Sequence, residues 1–198
     1  MEKTVYFRAF EEEDAELIYK WMNDDELKKM SIGVNRRMCR DEVTDWVKAR
    51  MRDSRSQIFW AICSICDKRL IGYICLTDIH YINRSACLGG MIIDKEYQDG
   101  FAWIEAHQFV FEYVFERLGL NRIYGESLVG HKQSNLMESV MFFTKEGIKR
   151  EAYFKNGKFY DSSCVGLLQK EYFEHKNAGD YETKSIIKRI ARLNKSKN

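Results

Sequence analysis

The stretch KEYQDGFAWIEA, residues 95–106, ends an apolar strand-like run and opens a long helix-periodic segment through one glycine, Gly100. A strand that turns into a helix this way aims backbone N–H groups and the positive end of the helix dipole at one point, which suits a phosphate. Here Asp99 precedes the glycine, and Phe101 and Trp103 follow it. A carboxylate about 5 Å from a phosphate charge, at an effective dielectric of ~20, is repelled by roughly 3 kcal/mol. That would weaken binding on the order of a hundredfold. Pointing away, Asp99 would instead satisfy the free N–H groups and cap the helix. Phe101 lacks glycine's freedom at positive φ. The stretch therefore reads as the location of a phosphate cradle whose chemistry is partly overwritten.

Three residues downstream could carry protons. Glu138, in a weakly amphipathic helical segment, reads either as an acid or relay, or as an exposed helix glutamate. His131, just before that helix, reads as a donor or a near-neutral base, or as an ordinary loop histidine. Glu126, on a strand, reads as a proton acceptor through water, or as strand surface. Asp78 and His80 end another strand, where they could recognise an amine or simply close a turn. Gly89 and Gly90 sit inside a strand, a mark of a bulge or a close backbone approach. Tyr153, Phe154, Phe159 and Tyr160 surround a turn and could line a cleft or pack a core. Cys63 and Cys66 form the sole C-x-x-C. A zinc site needs a second ligand pair, so no metal site is expected. Because Cys63 lies in IFWAICSI, buried thiols are the better reading.

The elements that must position these residues follow from periodicity. Residues 5–10 read as a strand, and 11–24 as a helix through Ile18, Trp21 and Met22. Residues 40–51 repeat the helix pattern. Residues 56–65 and 70–79 read as a hairpin and 87–94 as a further strand. The longest helix is expected from Ala102 to Leu118, with Ala106, Phe109, Val110, Tyr113 and Val114 inward and Gly119 as its stop. A strand over 120–129, a helix over 132–143 and a β-hairpin over 149–172 follow. Asn156-Gly157 is the strongest turn signal in the chain. An amphipathic helix through Ile186, Ile187, Ile190 and Leu193 ends it. The order β-α-α-β-β-β-α-β-α-β-β plus a C-terminal helix predicts an α/β domain with a mixed, mainly antiparallel sheet flanked by helices. A Rossmann fold is disfavoured, since strands and helices do not alternate and G-x-G-x-x-G is missing.

That order, with FRAFEEEDAELIYKWMND, IGYICLTDIHYINRSA, KEY, EA, FERLGLNRI, REAYFKNGKFYD and LLQKEYF in sequence, resembles the GNAT N-acetyltransferase superfamily. More narrowly, it resembles the branch of ribosomal-protein alanine, spermidine and amino-sugar acetyltransferases. The resemblance spans roughly residues 4–173. It implies that acetyl-CoA is the co-substrate. Backbone near Ile92 and Ile93 would hold the pantetheine arm. Gln98, Asp99, Gly100, Phe101, Ala102 and Ser134 would serve the rest of the cofactor. Glu138, His131 and Glu126 would be the catalytic candidates. The departures are specific. Asp99 and Phe101 stand where the family has glycines, and Trp103 where it has alanine. Cys87 stands at an acid-bearing position, His131 at an asparagine and Glu138 at a tyrosine. Met141-Phe142-Phe143 replaces L-G-F, placing a bulky residue at a glycine turn.

The expected function is acetyl transfer to a primary amine of a small molecule, such as an amino sugar or polyamine, or of a protein N-terminus. The alternative is a GNAT-like fold that has lost acetyl-CoA and works as a binding or regulatory module. Residues 1–175 would form the domain and 176–198 a basic helix or tail; within 181–198, Lys184, Lys188, Arg189, Arg192, Lys195 and Lys197 stand against Glu182 alone. Its apolar side suits docking on the domain or on a second copy, as in a homodimer, better than binding nucleic acid. With formal net charge +2, 45% hydrophobic residues and no apolar run of about 18 residues, no membrane partner is expected and the chain reads as cytoplasmic.

Overall fold

The computed structural model describes residues 2–32, 36–52, 55–98 and 101–195. Its packing divides into two units, one formed by Lys3–Ile79 and Cys87–Trp103, the other by His80–Ala86 and the chain from Ile104 on.

The first unit contains β1 (Val5–Arg8), α1 (Ala15–Met22), α2 (Asp25–Lys28), α3 (Arg40–Met51), β2 (Ile58–Ser64), β3 (Leu70–His80) and most of β4 (Ser85–Ile93). The strands lie in the order β1-β2-β3-β4. β1 pairs antiparallel with β2 (Tyr6 opposite Cys63), and β2 with β3 (Trp60 opposite Ile74). Phe10, Trp46, Phe59 and Tyr73 form an aromatic cluster, with Phe10 edge-on to Tyr73 at 5.8 Å. Ile18, Val43, Val47 and Ala61 close around it. Cys63 is buried and Cys66 exposed, so the C-x-x-C is split between core and surface rather than wholly buried. The short α2 escapes a periodicity reading. Its N-terminus is made by Asp24, whose carboxylate accepts from Glu26 N at 2.9 Å and Leu27 N at 3.2 Å.

The second unit contains α4 (Ala102–Glu112) beyond its first two residues, β5 (Arg122–Leu128), α5 (Lys132–Val140), β6 (Thr144–Lys155), β7 (Lys158–Leu168), α6 (Gln169–Asn177) and α7 (Thr183–Lys195). Here β7 lies between β5 and β6 and pairs antiparallel with both. Ala106, Val110 and Val114 are buried as the stripe predicts, but Phe109 and Tyr113 are only half-buried. Phe111 and Phe115 take the core positions instead. The helix ends in a π turn over Tyr113–Arg117, and Gly119 follows at φ +61°. Asn156 and Gly157, at φ +51° and +78°, make the predicted tight turn. Residues 169–172, read as strand, instead begin α6. The Glu171 carboxylate turns the chain by accepting Leu168 N at 2.9 Å. Phe142 adopts φ +63°, so the turn has a glycine-like backbone at a bulky residue. That conformation costs a bulky residue about 1–2 kcal/mol.

Candidate active site

In the first unit, β4 carries Gly89 and Gly90 on its exposed part, with Gly90 at φ +134°, a conformation open to glycine. A Cβ on Gly90 would meet nothing within 4 Å, so the backbone here faces open space. Downstream, Ile92 is half-buried and Ile93 buried. Gly72 of β3 lies so close that a Cβ there would stand 2.2 Å from Ile92 O. The strand then enters a 3₁₀ turn over Lys95–Tyr97. Asp94 shapes it: its N–H donates to Ile71 O at 2.7 Å, and its carboxylate accepts from Glu96 N at 3.1 Å and from the Trp21 indole at 2.9 Å. Lys95 adds an ion pair with Asp24 at 2.8 Å. The Gln98 side chain donates to Ile93 O at 3.0 Å, and its backbone N–H reaches Lys95 O at 3.5 Å. Phe101 and Trp103 are half-buried, whereas Ala102, the first residue of α4, is buried. Asp99 and Gly100 lie outside the described residues.

The Trp21–Asp94 bond ties α1 to this turn. Asp94→Ala is expected to raise the KM for acetyl-CoA about tenfold, roughly 1.4 kcal/mol, with kcat changed less. Asp94→Asn, which keeps an acceptor for the indole, should recover part of the loss. Steady-state kinetics at varied acetyl-CoA checks both.

In the second unit, α5 gathers His131, Ser134 and Glu138. His131 is the N-cap of α5: its Nδ1 accepts from Ser134 N at 3.3 Å. That bond spends the Ser134 N–H inside the protein. Burial holds the imidazole below its ordinary pKa, overriding the opposing effect of its backbone contact. Glu138 Oε1 accepts from the Ser127 hydroxyl at 2.9 Å. Burial pushes the Glu138 carboxyl up, against the weaker pull of Ser127 and Lys145. A cavity of about 240 Å³ opens beside it, lined by Asn135, Glu138, Ser139, Phe143, Lys145 and Ser163 among others.

Glu126 faces the other way. Successive strand residues point to opposite faces, so β5 sends Ser127 to Glu138 and Glu126 to the far side. There Glu126 accepts from the Lys149 ammonium at 2.7 Å and from the Ser162 hydroxyl, with Tyr153 as a further partner. Burial alone would raise this carboxyl, but Lys149, Ser162 and Tyr153 together outweigh it and hold it below its ordinary value. A bulge brings Tyr153 into place. Between Lys149 and Tyr153 the β6–β7 register shifts, leaving Arg150, Glu151 and Ala152 opposite Asp161 alone. Glu151, at φ +51°, donates its N–H to the Asp161 carboxylate at 2.8 Å. Sequence reasoning named Tyr153 only as a cleft or packing residue and missed Ser127, Lys149 and Ser162. Asp78, at φ +47°, is exposed near the end of β3, and His80 Nδ1 accepts from Asn83 N at 3.0 Å, so His80 acts in the turn that follows.

Comparison with known proteins converges on one class. The sequence model of the acetyltransferase (GNAT) domain matches residues 4–140. The chain is 28% identical to the Uncharacterized N-acetyltransferase YoaA of Bacillus subtilis over 164 residues, covering 82% of this chain and 92% of that protein. It is 28% identical to the Spermidine N(1)-acetyltransferase of Vibrio cholerae over 132 residues, covering 67% and 75%. Its fold matches the crystal structure of the Vibrio cholerae spermidine N-acetyltransferase in complex with CoA and spermine. The TM-score there is 0.77 at 26% identity, over 86% of this chain and 98% of that one.

The chain belongs to the acetyltransferase (GNAT) domain family. It is an N-acetyltransferase with acetyl-CoA as co-substrate, and the alternative of a fold that has lost acetyl-CoA is not favoured. The residues fit that co-substrate: Gly90 leaves open space beside an exposed strand backbone, and a 3₁₀ turn leads from that strand toward α4. Among the described residues, no group of His, Cys, Asp and Glu could hold a metal ion, and no helix is long and apolar enough to cross a membrane.

Proposed function

We propose that the acceptor is an alkyl amine of the polyamine class, deprotonated by Glu126, and that Glu138 is the acid that protonates the departing thiolate. The observation that carries the acceptor reading is Lys149. Its side chain is an alkyl ammonium, and it sits on Glu126 at 2.7 Å, beside the Ser162 hydroxyl and Tyr153. A substrate ammonium that displaced Lys149 from the carboxylate would meet the same groups. The spermidine acetyltransferases among the relatives support the same substrate class.

Acetyl-CoA, when bound, supplies a thioester that a neutral amine attacks directly. The backbone of Gly90–Ile92 would hold its arm. The turn at Lys95–Gln98 and the start of α4 would hold its pyrophosphate, with Asp99 and Gly100 between them. Glu126, held ionised by Lys149, Ser162 and Tyr153, would take the proton from the ammonium through a water, or directly where the ammonium displaces Lys149. Glu138, whose carboxyl burial pushes up, would give a proton to the departing sulfur. Two carboxyls whose surroundings push their pKa values apart divide the base and acid roles. Positioning of the two reactants supplies the remainder of the rate.

Isothermal titration with acetyl-CoA should give saturable heat below about 1 mM, the upper range of ordinary KM values. No heat at that concentration would remove the enzymatic reading. With binding established, acetylation of spermidine, glucosamine and an alanine-terminated peptide is compared by kcat/KM. Spermidine is expected to lead by about tenfold or more, and a lead for either of the others would replace the polyamine assignment.

A further inference from the structure

The turn after α5 is held by residues far along the chain. Phe142, in its left-handed conformation, has its ring stacked on His175, with centroids 3.5 Å apart and planes at 11°. The Arg189 guanidinium lies 4.0 Å from the same ring centre. Arg189 also donates to Val140 O and, at 3.0 Å, to Asp180 O. The Tyr181 hydroxyl donates to Met141 O at 3.2 Å. Asp180 contacts His175 at 2.8 Å and Arg189 at 3.6 Å, tying the loop before α7 to both. Ile186 is fully buried, and Gln108 of α4 donates to Tyr181 O.

These contacts do two things that a glycine turn would do alone. Helix C-termini leave carbonyls without intrahelical partners. In a glycine-terminated helix the backbone curls back to satisfy them. Here a guanidinium and a phenol supply the donors for Val140 and Met141, and the cation also suits the negative end of the α5 dipole. The stack and the guanidinium hold Phe142 where its own backbone preference would not. Glu138 sits one turn upstream, and its carbonyl accepts from Phe143 N at 2.9 Å, so the same turn fixes its backbone.

We propose that the α6–α7 segment is a latch that holds the turn after α5 in its left-handed conformation at Phe142, and that Arg189 is a positioning residue for Glu138. The positioning role rests on the reading of Glu138 as the acid. Arg189 does not touch Glu138; it acts through Val140, Phe142 and the last turn of α5. From neighbouring elements, Ser127 of β5 and Lys145 of β6 face the Glu138 carboxyl, and neither belongs to the latch.

The test is a four-protein cycle of the full chain: the parent, Arg189→Met, Phe142→Gly and the double variant, with Glu138→Gln assayed beside them. Arg189→Met should lower kcat about tenfold and leave the KM for acetyl-CoA within about twofold. It should also move the alkaline limb of kcat to lower pH, as Glu138 loses its fixed burial. Phe142→Gly restores a residue at ease with positive φ, so the double variant should regain kcat to within about threefold of the parent. Equal losses from Arg189→Met in the parent and in the Phe142→Gly variant would overturn the latch. A lower melting temperature with unchanged kcat and pH profile would overturn the positioning role. Arg189→Lys, which keeps a cation near the carbonyls, should fall between parent and Arg189→Met. It provides the same comparison if the methionine variant does not fold. An unchanged kcat in Glu138→Gln would overturn the acid assignment and the positioning with it. The Arg189–Phe142 coupling read in melting temperature would still decide the latch.

Discussion

Gly72→Ala is expected to lower kcat/KM for acetyl-CoA by about a hundredfold, the scale set by ~1 Å of misplacement at a reacting site. The added methyl would stand 2.2 Å from Ile92 O and 3.1 Å from Ile93 Cα. Both are main-chain atoms, so no side-chain rotation relieves the clash. β4 must shift where its backbone would pair with the acyl-bearing arm. Asp94, whose N–H is tied to Ile71 O at 2.7 Å, must shift too, and with it the turn toward α4. Overpacking of this kind also destabilises by about 1–3 kcal/mol, so the melting temperature should fall. Gly147→Ala is the control, because a Cβ there has nothing within 4 Å. Kinetics at varied acetyl-CoA and a melting curve for both variants check the prediction. A Gly72→Ala protein with parental KM and melting temperature would contradict it. The sequence shows Gly72 only as one glycine in an apolar strand, since close approach between strands leaves no mark in composition.

Other parts were legible because their causes are local. The Asn156-Gly157 turn follows from two residues that tolerate positive φ, and the expected helix from Ala102 follows from a stripe repeating every three to four residues. The short α2 and α6 were not legible. The former is made by one aspartate over a single turn, and the latter by Glu171 reaching back to a residue that looks like strand. At the site, the candidates Glu126, His131, Ser134 and Glu138 all came from position in the chain, but their grouping did not. That Glu126 and Glu138 lie on opposite faces depends on which β5 residue Glu138 reaches. That Tyr153 joins Glu126 depends on a bulge. Phe142 is the sharpest case. The sequence puts a bulky residue there, yet the backbone takes a glycine's conformation, because His175 and Arg189 arrive from distant helices. Local propensity is overruled there by packing that no short window contains.

Glu138→Gln should lower kcat by about a hundredfold, the low end of what a positioned general acid contributes, while leaving the KM for acetyl-CoA near the parental value. Glutamine keeps the shape and an acceptor for the Ser127 hydroxyl, so the loss reports on the proton. The pH dependence fixes the sign. Burial raises the Glu138 pKa in the folded protein, and the protonated form is the active one. Parental kcat should therefore be full below that raised pKa and fall as pH climbs through it, and the glutamine variant should lack this limb. Glu126, whose pKa is lowered, must be ionised, so activity should also fall as pH drops through its depressed value. Together the two give a bell whose acidic side survives in Glu138→Gln. The substitution should move stability the opposite way from activity. A carboxyl with a raised folded-state pKa favours the fold when protonated, and that contribution is lost as pH rises through the folded pKa. Above it, the parent carries a half-buried charge that glutamine does not. Glu138→Gln should accordingly melt higher than the parent at pH 8, with the gap closing toward pH 5. A variant that is slower yet more stable is what a strained functional carboxyl predicts. An equal melting temperature at both pH values, or a retained alkaline limb, would remove Glu138 from the acid role.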